Sequence, residues 1–341
     1  MHAGKKFTFK QVFFWTRREL LLFLIIAAFT TLIYDVFRFK WMAIPWLPIA
    51  LIGTAVAFLV GFKNNASYDR LWEARKIYGG IVNTSRTLGI MVMDFIANQP
   101  AENKISESDL KVIHKRIIYR HMAWLTALRH QLRVIADWEN YSQAHVKEFK
   151  DKYGVDIREH NISLEDEITP YLSKQEKKYI LSKSNKATQL IALQSKDLKE
   201  LFDLELLDSF RHIELENILK DLYTFQGQAE RIKNFPYPRQ FATINYYFVW
   251  IFILLIPFGM FSAFEKIGRV GLWLTVPFTA LIAWIFHTMD KIGIATENPF
   301  EGGGNDVPIT TISRAIEIDL KEMLDEDEIP EKIEPVGFIL T

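Results

Sequence analysis

The chain contains no cysteine, which removes disulfides, thiolate metal sites and thiol nucleophiles together. Neither charge is in excess, since 41 lysines and arginines balance 41 aspartates and glutamates. Without a one-sided basic field there is no footprint for nucleic acid. A phosphate-binding loop is missing: Gly302-Gly303-Gly304 lacks the lysine that should follow it and the strand that should precede it. No HxxxH or HExxH occurs. His114 and His121 stand seven positions apart, too far along a helix to serve one metal, so both read as surface histidines and no metal site is expected. Serine, aspartate and histidine are present without a nucleophile elbow. An enzyme is therefore not expected, and no cofactor is implied. The first hydrophobic run begins after Arg17, Arg18 and Glu19 with no small-residue cleavage pattern behind it, so it reads as retained rather than as a removed signal. No internal repeat and no strand-rich unit is evident.

What the chain does have is long uncharged runs beside dense polar ones. A mean hydropathy of +0.03 together with 14% aromatic residues fits a membrane protein with a large wet portion. Four runs are long enough to span hydrocarbon, which takes about 20 apolar residues. They cover residues 20–37, 41–62, 241–264 and 270–289. Pro257 and Pro277 fall inside the third and fourth and are expected to kink them, which neighbouring helices can accommodate. Trp41, Trp46, Trp250 and Trp273 suit the membrane interfaces. Lys5, Lys6, Lys10, Arg17 and Arg18 precede the first span. The loops on the other side offer only Arg38 with Lys40, and Lys266 with Arg269. The positive-inside rule then puts both termini and the segment between spans two and three in the cytoplasm, and the protein in the cell membrane.

The expected organisation is all-α. Residues 1–19 form a cytoplasmic N-terminus, 20–62 the first two spans, 63–239 a helical cytoplasmic region, 240–289 the last two spans, and 290–341 a cytoplasmic loop, helix and strap. Within the insert, residues 109–138 place Ile113, Ile117, Leu125, Leu128, Leu132 and Ile135 at helical spacings and predict one long amphipathic helix. Residues 154–162 read as a connector. Ser173 with Glu176 forms a capping box that opens a helix running to about Ser182. Further helices are expected over 187–202 and 206–233, the latter stopped by Pro236 and Pro238. Residues 298–308 are a loop by composition, 312–324 an amphipathic helix, and the acidic end a strap on a surface. So many amphipathic helices exceed what one compact protomer core needs, which favours a ring-shaped homo-oligomer.

The second span runs into the polar string that begins at Gly61 without a turn signal, so one helix is expected to leave the bilayer and continue. Leu47, Leu51 and Ala55 are four apart and drift only about 40° per step, forming one stripe. Gly53, Ala57 and Gly61 fall roughly opposite, where small residues allow close helix approach in lipid. Two readings of the leucine stripe stay open: packing against neighbouring helices, or facing a pore axis where apolar rings gate by dewetting. The polar string carries Asn64, Asn65, Ser67, Asp69, Arg70, Glu73, Arg75 and Lys76, with Tyr68 and Trp72 one turn apart. Its alternating charges read first as a solvated or salt-bridged helix face and second as direct ion contacts. Gly79 and Gly80 permit a bend or a close backbone approach.

Three stretches resemble the bestrophin family (RFP-TM, chloride channel) in its compact prokaryotic form. One is the run from Gly61 to Arg75, with Asn64, Asn65, Tyr68, Asp69, Arg70, Trp72, Glu73 and Arg75, followed by Gly79 and Gly80. Another is Glu230-Arg231-Ile232-Lys233-Asn234 with Pro236 and Pro238. The third is Asn298-Pro299-Phe300 with Asn305-Asp306-Val307-Pro308. The resemblance implies a homopentameric ion channel in a lipid bilayer with one axial pore, a neck on span two and a second, cytosolic constriction. Matched residue by residue, it implies a neck at Leu47, Leu51 and Ala55 and a constriction at Phe210 with Ile213. Ala55 is smaller than the family's usual neck residue and Phe210 more aromatic than its usual aliphatic one. Animal members carry an acidic calcium-binding cluster where this chain reads Glu301-Gly302-Gly303-Gly304, so calcium gating is not implied. Monovalent cations, sodium or potassium, are the implied permeant ions, with chloride as the alternative. A nonconducting scaffold and a transporter are further alternatives, though span two lacks the midplane polar residues a transporter needs.

Overall fold

The computed structural model describes residues 1–98, 105–140 and 144–341. Among them the fold is helical throughout, the only β-type pairing being the isolated bridges His2 to Ile339 and Val336 to Ile339. In chain order the helices are α1 Phe9–Phe37, α2 Trp46–Phe95, α3 Glu107–Arg133, α4 Ala144–Tyr153, α5 Arg158–Asn161, α6 Leu164–Ile168 and α7 Lys174–Leu181. They continue with α8 Lys186–Asp203, α9 Ser209–Asn234, α10 Arg239–Phe264, α11 Arg269–Leu272, α12 Thr275–Ile294 and α13 Ile309–Met323.

Local chemistry sets the helix ends. Thr8 caps α1 by accepting from Gln11 N while the Gln11 side chain accepts in return. Arg38 then stops it in the left-handed region at φ 51°, a conformation few side chains adopt within a helix. The Ser173 and Glu176 capping box opens α7 as expected. Ser106 and Asp208 cap α3 and α9 without a box, Ser106 accepting from Asp109 N and Asp208 from Phe210 N and Arg211 N. The two expected kinks come out differently. Pro257 lies inside α10, but Pro277 falls in the first turn of α12, where the missing N–H has no helical partner to lose. The fourth run is instead broken ahead of that proline, by the turn that separates α11 from α12.

Four helices, α1, α2, α10 and α12, are long and apolar enough to cross a membrane. They share a core of Phe23, Ile49, Val56, Val60, Val249, Phe252, Ile256 and Ala283. α12 packs on α1, α10 and α2, and α10 packs on α2. A second, larger core fills the insert, where the lower part of α2, α3, α8, α9 and α13 bury Ile81, Leu88, Ile117, Leu128, Leu198 and Leu222. The insert helices thus do close into one protomer core, contrary to the expectation that they outnumber it. Each fully buried aliphatic or aromatic side chain there contributes about 1.5–3 kcal/mol.

The histidines expected on the surface are buried. His114 Nε2 lies 2.8 Å from the Ile96 carbonyl and His121 Nε2 2.9 Å from Ser85 Oγ. Both partners belong to the lower end of α2 or its C-cap. The α3 helix ends at Arg133, short of the expected residue 138, because the chain turns after Val134. The end of the chain is tied down: Ile339 is buried and Thr311 N donates to the Thr341 carbonyl at 2.8 Å. The N-terminus joins it, with Ala3 N donating to Phe338 O at 2.7 Å, while Arg17 and Arg18 both pair with Glu148 of α4. Both termini and the insert therefore lie on one side of the four spanning helices.

Candidate functional site

α2 is a single uninterrupted helix of 50 residues, about 75 Å at about 1.5 Å per residue. Only part of that length fits in a bilayer core of about 30 Å. Its packing face runs through Ile49, Gly53, Val56, Val60, Lys63 and Ser67, all buried. Gly53 is required there, since a Cβ would stand 2.7 Å from the Phe252 ring. The small-residue stripe otherwise fails as a packing face within the protomer. Ala57 is exposed, and a Cβ on Gly61 would meet nothing within 4 Å. Steps of four drift by about 40°, so the line from Gly53 to Gly61 leaves the packing face.

The opposite face is apolar and open. Leu47 is 71% and Leu51 65% exposed, and Ala55 is exposed with them. Thr54, Phe58 and Phe62 share this face, Phe58 at 66% exposure with its ring 4.4 Å, edge on, from that of Phe62. The sequence reading stopped at Ala55 and missed both phenylalanines. A line that mixes steps of four and three, through 47, 51, 54, 58 and 62, would have found them.

Where α2 turns polar, three of its side chains anchor it. Lys63 Nζ donates to Asp290 Oδ1 of α12 at 2.8 Å, both groups almost fully buried, and Asn245 Nδ2 of α10 donates to the same oxygen at 2.6 Å. Asn64 Nδ2 donates to the Met289 carbonyl at 3.0 Å. About two turns on, the Arg70 guanidinium donates to three carbonyls, Glu297 and Phe235 at 2.8 Å and Ile232 at 3.0 Å. It thereby ties α2 to the end of α9 and to the loop after α12. Glu73 accepts from Arg231. Burial pushes the Glu297 carboxyl above its usual range, opposed by Lys63, Arg239 and Arg70 nearby. Tyr68 and Trp72 stack in the open at 6.4 Å. Asn65, Asp69, Arg75 and Lys76 are exposed. The polar string is thus split: one side is structural, the other continues the open face.

The glycine pair resolves into two roles. A Cβ on Gly80 would come within 2.5 Å of the Phe225 ring, whereas Gly79 has nothing within 4 Å, and the helix passes both without a break. In the third signature stretch Phe300 is buried with its ring 5.9 Å from Tyr78, Asn298 Nδ2 donates to Glu301 Oε1 at 2.7 Å, and the Pro299 carbonyl accepts from Val307 N at 3.0 Å. These residues seat the loop on α2. Burial, then the nearby Asp306 charge, raises the Glu301 carboxyl to about 8. At the start of α9, Phe210 is 84% exposed and Ile213 is exposed beside it, about a turn further along.

The model for the family described as Bacterial/Fungal Bestrophin protein matches residues 9–322. Among curated proteins, the chain is 27% identical over 289 residues to the "voltage-dependent anion channel-forming protein YneE" of Escherichia coli strain K12, covering 84% of this chain and 80% of that one. It is 25% identical over 293 residues to a protein of the same description, RSc3414, from Ralstonia nicotianae, covering 86% and 82%. Among solved structures, a bacterial bestrophin homologue from Klebsiella pneumoniae superposes with a TM-score of 0.73 at 23% identity, covering 91% of this chain and 98% of that one.

Proposed function

We propose that this chain, which belongs to the bacterial and fungal bestrophin family, forms a ring-shaped, homopentameric ion channel with the open face of α2 turned to the axis. The observation that carries this reading is the face itself. From Leu47 to Phe62 it is apolar but for Thr54, lies opposite the side packed on α10, and continues without a break onto the exposed polar positions Asn65 and Asp69. A surface meant only for lipid has no reason to run on as a polar line beyond the bilayer. In this reading Leu47, Leu51 and Ala55 line the outer part of a hydrophobic neck, and Thr54, Phe58 and Phe62 carry it inward. Phe210 with Ile213 forms the cytosolic constriction. A narrow apolar ring gates by dewetting, so its width sets the barrier. The protein sits in the cell membrane with both termini and the insert in the cytoplasm, which the basic N-terminus supports.

Anions, chloride among them, are the permeant ions that the relatives' descriptions support. Conduction of sodium or potassium has one specific observation in its favour, the exposed Asp69 beyond the neck. Bilayer reconstitution tests the whole reading. Leu51→Ala and Phe58→Ala are expected to raise open probability or conductance by about twofold or more, the phenylalanine more strongly. Unchanged currents from both variants, with assembly intact, would mean that this face only packs. Absence of unitary steps from well-folded, ring-shaped protein would favour a scaffold. Reversal potentials in a salt gradient assign the ion, and particle images count the subunits.

A further inference from the structure

Asp69 follows Leu51 by 18 positions (69 − 51) on one continuous helix. At about 3.6 residues per turn that is about five whole turns, so the two side chains leave α2 in the same direction. Asp69 also stands seven residues beyond Phe62, about 10 Å along the axis. It is the first charge on the open face after the apolar stretch ends.

The nearest charges on α2 are otherwise engaged, and the exposed Arg75 leaves the helix about 120° away from Asp69. Lys63 is committed to Asp290, Arg70 to three carbonyls and Glu73 to Arg231. Arg70, adjacent in sequence, points its guanidinium at α9 and the loop after α12, and among the described residues Asp69 makes no ion pair. Lys76 is the next exposed charge in this direction, 18 positions after Phe58 (76 − 58) and about 21 Å beyond Phe62. A carboxylate at about 10 Å acts on an ion leaving the neck at roughly one Debye length in physiological salt, whereas Lys76 lies beyond two.

Resting on the pore reading above, we propose that Asp69 is a charge-selecting residue: repeated around the axis, its carboxylates form an anionic ring at the inner mouth of the neck. An apolar neck has no charge preference of its own, so the nearest fixed charge sets the bias. The ring concentrates cations and depletes anions at the mouth. It therefore moves the permeability ratio toward cations whatever the absolute preference of the wild-type channel.

The test is the reversal potential of purified, reconstituted protein in a potassium chloride gradient. Asp69→Asn is expected to lower the cation-to-anion permeability ratio by about threefold or more, and Asp69→Lys to lower it further. Asp69→Glu should keep the wild-type ratio, and Lys76→Ala should change it by less than Asp69→Asn does. An independent measurement needs no variant: the wild-type ratio should drift toward anions as total salt rises to about 1 M, where screening shortens to about 3 Å. Unitary currents with an unchanged ratio in Asp69→Asn, or a salt-independent wild-type ratio, would overturn the proposal while leaving the pore in place. Loss of the pore reading shows separately, as unchanged currents in both Leu51→Ala and Phe58→Ala.

Discussion

The outer and inner parts of α2 are one helix held in two different ways. From Trp46 to Phe62 it buries a single line, Ile49, Gly53, Val56 and Val60, against α10 and α12, and leaves Leu47, Leu51, Ile52, Phe58 and Phe62 open. From Lys63 to Phe95 the helix packs on α9, α3 and α13 as well, and buried polar groups join the apolar ones. In lipid an open leucine costs nothing, so the outer part is free to present a face to an axis. In water that freedom disappears, and the inner part is fixed by ion pairs, hydrogen bonds and close glycine contacts. In the proposed channel this division would suit a conduit, a rigid base holding a helix whose exposed outer side chains set the passage.

Removing the junction should have the largest effect. Lys63→Ala would leave Asp290 buried with only Asn245 as partner, and breaking a buried pair from one side costs about 3–5 kcal/mol. Denaturant titration of the detergent-solubilised protein should show that loss. Lys63→Met combined with Asp290→Asn should recover much of it, because no uncompensated charge remains. Equal losses in both variants would mean that shape, rather than charge, matters at the junction.

The glycine pair sharpens the contrast at a smaller scale. Gly80→Ala drives a methyl into the Phe225 ring and is expected to destabilise by about 1–3 kcal/mol. Gly79→Ala meets open space in a helix interior and should stabilise the protomer by about 0.5–1 kcal/mol. If Gly79→Ala instead weakens the assembly on gel filtration while the protomer stays folded, the open side of the inner part is a subunit contact.

Much of this was legible in the chain, and the failures have a common cause. The continuity of α2 showed because no proline, turn or cap interrupts residues 49–95, and the capping box at Ser173 and Glu176 is a purely local device. Periodicity put Leu47, Leu51 and Ala55 on one stripe, but could not say whether that stripe packs or stays open. Phe58 and Phe62 escaped because a fixed step of four walks off a 3.6-residue helix, and the same drift made Ala57 and Gly61 look like packing residues. Buried His114 and His121 escaped for another reason: their partners, Ile96 and Ser85, are supplied by a different helix. Periodicity identifies an apolar face, but not the polar group that a tertiary contact brings to it. The single core of the insert was also beyond reach, since the number of amphipathic helices does not say how they close on one another.

His121 gives the finest test of the inner part. Its ring is buried against Trp124 at a centroid distance of 5.2 Å, with Nε2 facing Ser85 Oγ of α2. Burial lowers its pKa from the ordinary 6.5 to about 3. The unfolded chain therefore takes up a proton near pH 6.5 while the folded one resists until about pH 3, and stability falls as pH drops through that window. By pH 5 the loss should be about 2 kcal/mol. Glu301 works in the opposite direction, since its raised pKa costs stability as pH rises from 4.5 towards 8. His121→Gln keeps a side chain able to hydrogen-bond Ser85 but does not titrate. The difference in unfolding free energy between wild type and this variant should shift against the wild type from pH 7 to pH 5, while Phe58→Ala, on the outer part, leaves the wild-type slope unchanged. A pH-independent difference for His121→Gln would mean that acid finds a relaxed site for the imidazolium, and that the inner part is less rigid than its contacts to α2 imply.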